Sequence, residues 1–397
     1  MRKILAINSG SSSLKFKLFE MPEEQTIASG LIERIGIESP RVTIKDGSGI
    51  VYQDDVDVAN HKDAVELLVH LLLKLNIVAS YDEIAGVGHR VVAGGEYFDH
   101  SVIINDDVKK KITELEEFAP LHNPANLVGI NAFEKVLPRA LSVASFDTAF
   151  HRTLPETNYI YGVPYEWYEK YGVRRFGAHG LSHQYVAGEA AKMLGKPLKD
   201  LKLISCHLGS GSSVCAIKYG RSYDTSMGFS PVSGLTMLTR SGDVDISLVA
   251  YMKQKLGISM ERMLYILNNK SGLLGISGIS SDMRDLLDQS DTNHRAELAV
   301  HIFVKNVVKF IGQYVAEIGG MDGLIFTAGI GEASAPIKRK IMKRLAFMGI
   351  TIDEKNVEVV GKKTFVSGKD SKIPVMCIPT NEELVIARDV EKKLEEQ

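Results

Sequence analysis

One segment of the 397-residue chain is present twice. Residues 3–19, KILAINSGSSSLKFKLF, resemble residues 202–219, KLISCHLGSGSSVCAIKY: an apolar strand, a glycine–serine turn, then a second strand of alternating character. Gly10 falls on Gly209 and Ser13 on Ser212, at a single offset of 199, close to half the chain. A repeat at that distance constrains the fold more than any local signal, because it calls for two copies of one supersecondary unit facing each other. A chance likeness between two hairpins is the competing explanation.

The remaining pattern is α/β. Short apolar runs at 3–7, 83–87, 140–146, 202–206, 323–327 and 373–378 read as buried strands. Helical periodicity marks 64–75, 184–194, 246–256, 260–268, 296–317 and 338–347. No serine- or proline-rich tract separates the pieces, so the domains are expected to pack closely. At 45% hydrophobic and 24% charged residues the chain has material for a sizeable core.

Charge and cysteine usage narrow the function classes. Forty-seven basic against 49 acidic residues leave a formal charge of −2, so no global field recruits nucleic acid or an anionic membrane. The short basic runs at 109–111 and 338–340 fall in helix-like stretches and read as solvated faces. Cys206, Cys215 and Cys377 lie in apolar segments without CxxC spacing, which argues for a reducing compartment and against structural zinc. The apolar run 4–7 is too short for a signal peptide, and 66–75 is interrupted by His70 and Lys74. A cytoplasmic location is the expectation, with neither nucleic acid nor membrane as partner.

A glycine–serine turn between strands aims backbone N–H groups and hydroxyls at one spot. That suits a phosphate, because glycine allows close backbone approach and positive φ. The first turn offers Ser9, Gly10, Ser11, Ser12 and Ser13, with Lys15 following; the second offers Gly209, Ser210, Gly211, Ser212 and Ser213. Neither is a Walker loop or a Rossmann fingerprint, since GxxxxGK(S/T) and GxGxxG are both absent. A third glycine-rich turn, AGIGE at 328–332, follows an apolar strand and precedes a helix, a place for a nucleoside or simply a tight turn.

Asn8, Asp147 and Glu382 each follow or close an apolar strand. An amide and two carboxylates, completed by water and substrate phosphates, would satisfy Mg²⁺ if the strand ends converge. Taken singly, each also suits a helix cap or turn. Arg90 and Arg240 lie in glycine-flanked stretches and suit a clamp on a carboxylate and a moving phosphoryl group, with a surface ion pair as the alternative. His122, His151, His179, His183 and His207 stand near loop signals, as cleft residues or as hydrogen-bonded structural ones.

Together these motifs resemble the acetate kinase (acetokinase) family, in the superfamily of acetate and sugar kinases, heat-shock chaperones and actin. The likeness runs end to end. It rests on NSGSSSLKF from Asn8, HRVV from His89, APLHNP from Ala119, FDTAFH from Phe146, RRFGAHGLSH around His179, DTSMGFSP from Asp224, TRSGD from Thr239, SDMRDL from Ser281, TAGIGE from Thr327 and PTNEELVIARD from Pro379.

The resemblance implies two duplicated ribonuclease-H-like (actin-like ATPase) domains with a nucleotide cleft between them. They would span 1–150, completed by a C-terminal helix at 383–397, and 151–382, which binds nucleotide and forms a homodimer. It implies reversible transfer of the ATP γ-phosphate to acetate, giving acetyl phosphate and ADP, with Mg²⁺ or Mn²⁺. Arg90 and Arg240 would hold the carboxylate and γ-phosphate, and His179 the equatorial oxygens in the transition state. Asp147 would orient the carboxylate or help hold the metal, Asn8 and Glu382 would complete the magnesium environment, and Lys15 would face the phosphates. The loop His207, Leu208, Gly209, Ser210 and Gly211 would cradle the phosphates. Asp282, Met283 and Arg284 with Gly329, Ile330, Gly331, Glu332 and Ala333 would surround the adenosine. Arg90, Val92, Leu121, His122, Ala178 and Pro231 would form the acyl pocket.

Some positions depart from the family pattern. Ser210 replaces an asparagine in the phosphate loop, Ala178 a phenylalanine beside the acyl group, Ala93 a histidine, Ala333 an asparagine, and Leu238 a glycine; Ile246 stands where proline is usual. Ala178 suggests a roomier acyl pocket and a preference for propionate or butyrate, unless Phe176 or Leu181 fills the space. Ser210 and Ala333 leave pyrophosphate open as a donor. A nucleotide-dependent chaperone or regulator on the same scaffold would give two arginines and His179 no purpose.

Overall fold

The computed structural model describes residues 1–10, 12–120 and 122–397. Ser11 of the first turn and Leu121 of the expected acyl pocket lie outside the described residues. The chain divides into two compact units, Met1–Phe150 with Asn381–Gln397, and His151–Thr380.

The first unit is built on β1 (Arg2–Ser9), β2 (Ser13–Met21), β3 (Gln25–Glu33), β4 (Arg41–Asp46), β5 (Gly49–Asp55), β6 (Ile84–Val91), β7 (Val102–Ile103) and β8 (Leu141–Phe146). They form one sheet in the order β5-β4-β3-β2-β1-β6-β8-β7. The strand β1 pairs antiparallel with β2 and parallel with β6. In β2 the alternation is plain: Leu14, Phe16 and Leu18 are buried, while Lys15 and Lys17 point to the other face. Ile4 to Ile7 of β1 are buried throughout, as a central strand covered on both faces requires.

One cover is the helix Glu382–Glu395, which returns to lie on β1, β6 and β8. Glycine makes this possible. A Cβ at Gly86 would come within 2.4 Å of Val390, and one at Gly88 within 2.3 Å of Ile386, so two bare positions on one face of β6 admit the helix. On the core side Asn123 and Asn126, both buried at the start of the helix Asn123–Val136, clamp the strand ends. Asn126 Oδ1 accepts from the Val92 N–H at 3.2 Å and its Nδ2 donates to the Ser9 carbonyl at 2.8 Å. Asn123 similarly accepts from the N–H of Ala93 and donates to its carbonyl.

The second unit carries β9 (Lys202–Leu208), β10 (Ser212–Lys218), β11 (Arg221–Thr225), β12 (Gly323–Thr327), β13 (Thr364–Phe365) and β14 (Val375–Cys377), in the order β11-β10-β9-β12-β14-β13. Position by position this repeats β3-β2-β1-β6-β8-β7, with the same parallel and antiparallel pairings. The 199-residue offset maps the end of β1 onto the end of β9 and the start of β2 onto the start of β10. Both units are therefore ribonuclease-H-like α/β layers built on one plan. The helix His294–Ile318, capped by Asn293 and stopped by left-handed Gly319, covers one face of the second sheet. The helix Gly180–Leu194 packs against β9 and β12.

Two expectations need correction. The AGIGE segment is a short helix, Ala328–Ala333, rather than an open turn. The Glu332 carboxylate accepts the N–H groups of Ala328 and Thr380 at 2.9 and 3.1 Å, which holds its first turn closed. Lys338, expected on a solvated face, is fully buried: its ammonium donates to the Glu332 carbonyl at 2.9 Å. Among the described residues no helix is long and apolar enough to cross a membrane.

Candidate active site

In the first unit the expected residues meet at the carboxyl ends of adjacent strands. Asn8 lies near the end of β1, Arg90 on β6, Asp147 directly after β8, and Glu382 opens the last helix. The Arg90 guanidinium joins them. Nε donates to Asp147 Oδ1 at 3.1 Å and Nη2 bonds Asp147 Oδ2, while Nη1 donates to Asn8 Oδ1 at 3.1 Å and Glu382 stands 3.8 Å from Nε. The two-pronged pairing fixes the plane of the guanidinium, so Asp147 acts first on Arg90. Burial opposes the charge on Arg90, yet the carboxylates of Asp147 and Glu382 more than compensate and push its pKa up.

Burial, with the negative Asp147 and Glu383 nearby, pushes Glu382 up to about 7. Its neighbour Glu383 is held down at about 2: burial works against ionisation, but Lys17 and Lys15 prevail. Lys15, expected to face phosphate, is engaged by Glu383 at 2.5 Å with its side chain half exposed. Val92 is buried beyond the end of β6, and His122 caps the helix Asn123–Val136.

In the second unit the centre is Gly211. A Cβ there would lie 3.2 Å from both Arg240 Nη1 and His179 Nε2, so the two side chains converge over a backbone kept bare. Arg240 has no carboxylate partner among the described residues; its Nη1 donates to Met237 Sδ at 4.0 Å, and burial lowers its pKa. A partly desolvated cation without a counter-ion is a place for an anion.

His179 sits at the N-terminus of its helix with φ +58°, a left-handed conformation that a non-glycine residue adopts at a cost. Its ring stacks on His207, centroids 4.1 Å apart. His207, on β9, is 2.8 Å from the Ser182 hydroxyl through Nδ1. Behind His179 a buried chain runs inward: Nδ1 to Ser213 Oγ at 2.9 Å, Ser213 Oγ to His183 Nε2 at 2.8 Å, His183 Nδ1 to Ser205 Oγ at 3.0 Å.

Beside this centre a cavity of about 560 Å³ takes in Gly209, Ser210, Asp282, Met283, Arg284, Gly329, Ile330 and Ala333, all expected at the nucleotide. Asp282 caps the helix Met283–Gln289 and pairs with the exposed Arg284. Leu238, Leu287, Asp288, Ser334 and Pro336 complete the wall. Leu208, Gly331 and Glu332 do not line it. Leu208 is buried in the core, Gly331 packs over β9, and Glu332 is spent on the short helix.

Ala178 packs with Met227 and Met237, Phe176 lies against Phe229, and Pro231 is partly exposed. Sequence reasoning missed the relay of Ser213 and Ser205 and the clamp of Asn123 and Asn126. The spacing of His179 and His183, one helical turn, is the only local signal for the former.

A model of the acetokinase family matches residues 3–388. The acetate kinase of Limosilactobacillus fermentum is 55% identical over 393 residues, covering 99% of each chain. The crystal structure of Porphyromonas gingivalis acetate kinase matches with a TM-score of 0.93 at 41% identity, over 99% of this chain and 100% of that one. That of a propionate kinase from Francisella tularensis matches with a TM-score of 0.92 at 40% identity and the same coverage. The chain belongs to the acetokinase family, kinases that transfer phosphate to a carboxylate.

Proposed function

We propose that the chain carries out the reversible transfer of the ATP γ-phosphate to acetate, giving acetyl phosphate and ADP by direct in-line attack. The observation that carries this reading is the convergence of Arg240 and His179 over Gly211, beside a cavity of nucleoside size. A carboxylate is already ionised at neutral pH and needs no strong base to attack phosphorus. What the reaction needs is positioning and neutralisation of charge on the transferred group. Arg240 supplies a cation with no carboxylate partner among the described residues, His179 a hydrogen-bond donor, and the bare backbone at Gly209 and Gly211 allows phosphate to approach. Arg90, locked by Asp147 and Asn8, would hold the acid, and Val92, His122, Ala178 and Pro231 are the residues that the family resemblance implies around its alkyl end. Lys15 stands ready to exchange Glu383 for phosphate oxygen.

The donor chemistry of the first unit fits Mg²⁺. Asn8, Asp147 and Glu382 offer only oxygens, and no cluster of three or more His, Cys, Asp or Glu among the described residues could hold a metal alone. Those three residues would hold an ion whose remaining positions go to phosphate and water. When bound, the ion screens the negative charge of the phosphate chain.

A second reading, propionate or butyrate as acceptor, is favoured by Ala178, whose neighbours Met227 and Met237 are adaptable thioethers. A pyrophosphate donor would leave the nucleoside cavity without a purpose. The homodimer implied by the resemblance has a fitting face in the helices Ile246–Leu256 and Met260–Asn269. The first buries no residue, and Leu248, Tyr251, Leu264 and Tyr265 stand exposed. Three free buried thiols suit a reducing compartment, which supports a cytoplasmic location.

The test is a hydroxylamine trap for acyl phosphate, with acetate, propionate and butyrate and with ATP or pyrophosphate. Product is expected with ATP and most readily with acetate. Arg240→Ala should cut the rate by about 10²–10³ while ATP binding persists. No product from any acid refutes the reading, and a faster rate with butyrate replaces acetate as the acceptor.

A further inference from the structure

We propose that Ser205, His183 and Ser213 form a one-way hydrogen-bond relay that fixes His179 as the neutral Nε2–H tautomer. It would then meet the phosphoryl group as an uncharged donor rather than as an imidazolium. The inference rests on the reading of His179 as a phosphoryl-facing group, and makes His183, Ser213 and Ser205 positioning residues for it.

The direction follows from counting hydrogens in a dry place. Ser205, on β9, is completely buried, and its hydroxyl has one side-chain neighbour among the described residues, His183 Nδ1 at 3.0 Å. If His183 carried its proton on Nδ1, Ser205 would accept it and be left with a buried O–H and no acceptor. The desolvation cost of such a group, about 1–3 kcal/mol, disfavours that arrangement. Ser205 therefore donates to Nδ1, and His183 carries its proton on Nε2.

Each later step is forced by the one before it. His183 Nε2–H donates to Ser213 Oγ at 2.8 Å. Ser213, also completely buried on β10, then turns its single hydrogen to its other partner, His179 Nδ1, at 2.9 Å. With Nδ1 accepting, the neutral imidazole keeps its proton on Nε2, the atom that shares the space over Gly211 with Arg240 Nη1. An imidazolium at His179 would present Nδ1–H to Ser213 and strand the serine hydrogen. It would also set a second positive charge beside the unpaired Arg240. Complete burial, with two further imidazoles nearby, keeps His183 itself neutral. The left-handed backbone at His179 suits this role, since it turns the ring back toward β10 at the first turn of the helix.

The experiment is a long-range ¹H–¹⁵N correlation spectrum of the full-length protein labelled at histidine, with His179→Ala identifying the His179 ring. Both His179 and His183 are expected to show a protonated Nε2 and a bare Nδ1 at the pH of activity. A His179 protonated at Nδ1, alone or together with Nε2, overturns the proposal. In a second arm, Ser213→Ala should mix the His179 tautomers. It should lower kcat by roughly 10- to 100-fold, the usual effect of losing a partner that orients an imidazole, with KM for ATP and acid nearly unchanged. Ser213→Thr, which keeps the hydroxyl, should restore both readouts. An unchanged spectrum or kcat in folded Ser213→Ala also overturns the relay, and the wild-type spectrum decides the matter if that variant does not fold. Full activity in His179→Ala would instead refute the reading of His179 as phosphoryl-facing, which the spectrum does not address.

Discussion

Gly211 and Arg240 explain each other. The glycine leaves room over its Cα, and the arginine, partly desolvated and without a carboxylate, directs a positive charge into that room. A methyl at Gly211 would stand 3.2 Å from the flexible ends of Arg240 and His179, close enough to shift both and not close enough to break the fold. Gly211→Ala is therefore expected to lower kcat/KM for acyl phosphate formation by about tenfold or more while the melting temperature stays near the parent value. Steady-state kinetics beside a thermal melt checks this. The glycine–serine turn was legible as a candidate for phosphate because glycine at such a place has few other uses. The pairing of Lys15 with Glu383 was not legible, because the two are far apart in the chain and meet only through the strand β2 and the last helix.

Among the elements, β11 and the helix His294–Ile318 hold a titratable cluster away from the candidate site. Asp224 on β11 faces Arg175 at 3.6 Å, together with Glu317 and the buried Tyr314. Burial outweighs the help of Arg175, and with Glu317 opposing ionisation Asp224 is pushed up to about 7. The folded state then binds more protons than the unfolded state between the ordinary carboxylate range and pH 7. This group's contribution to stability is present at acid pH and lost as pH rises through about 7. Asp224→Asn should flatten the fall in stability between about pH 4 and 7, a slope of at most about 1.4 kcal/mol per pH unit, as measured by urea denaturation. At this scale hydrophobic period served well for strands and long helices. It failed for the short helix at 328–333, whose glycines mask its periodicity. It failed also for Lys338, since charge type alone does not reveal a carbonyl waiting in the interior.

The whole molecule repeats one sheet plan twice, and only the second copy carries two helices with so much apolar surface left uncovered. A second copy of the chain seated on that face would bury Leu248 and Tyr251, which lie one turn apart on it. For the homodimer proposed above, replacing both by glutamate should leave monomer in sedimentation velocity. An unchanged sedimentation coefficient would remove that face from consideration.

The sequence by itself determined the duplication, the α/β class, the glycine–serine turns and the family, because each is written in local residue types at fixed spacing. Only the tertiary structure decided which charges are neutralised within the protein and which are left for a ligand. Arg90 is satisfied by Asp147 and Asn8, while Arg240 has no carboxylate partner among the described residues, though both looked alike in the chain. It likewise brought Ser213, His183 and Ser205 together behind His179. Partners for a buried polar group come from distant segments, and the cost of leaving one unpaired is set by burial, which no local pattern records.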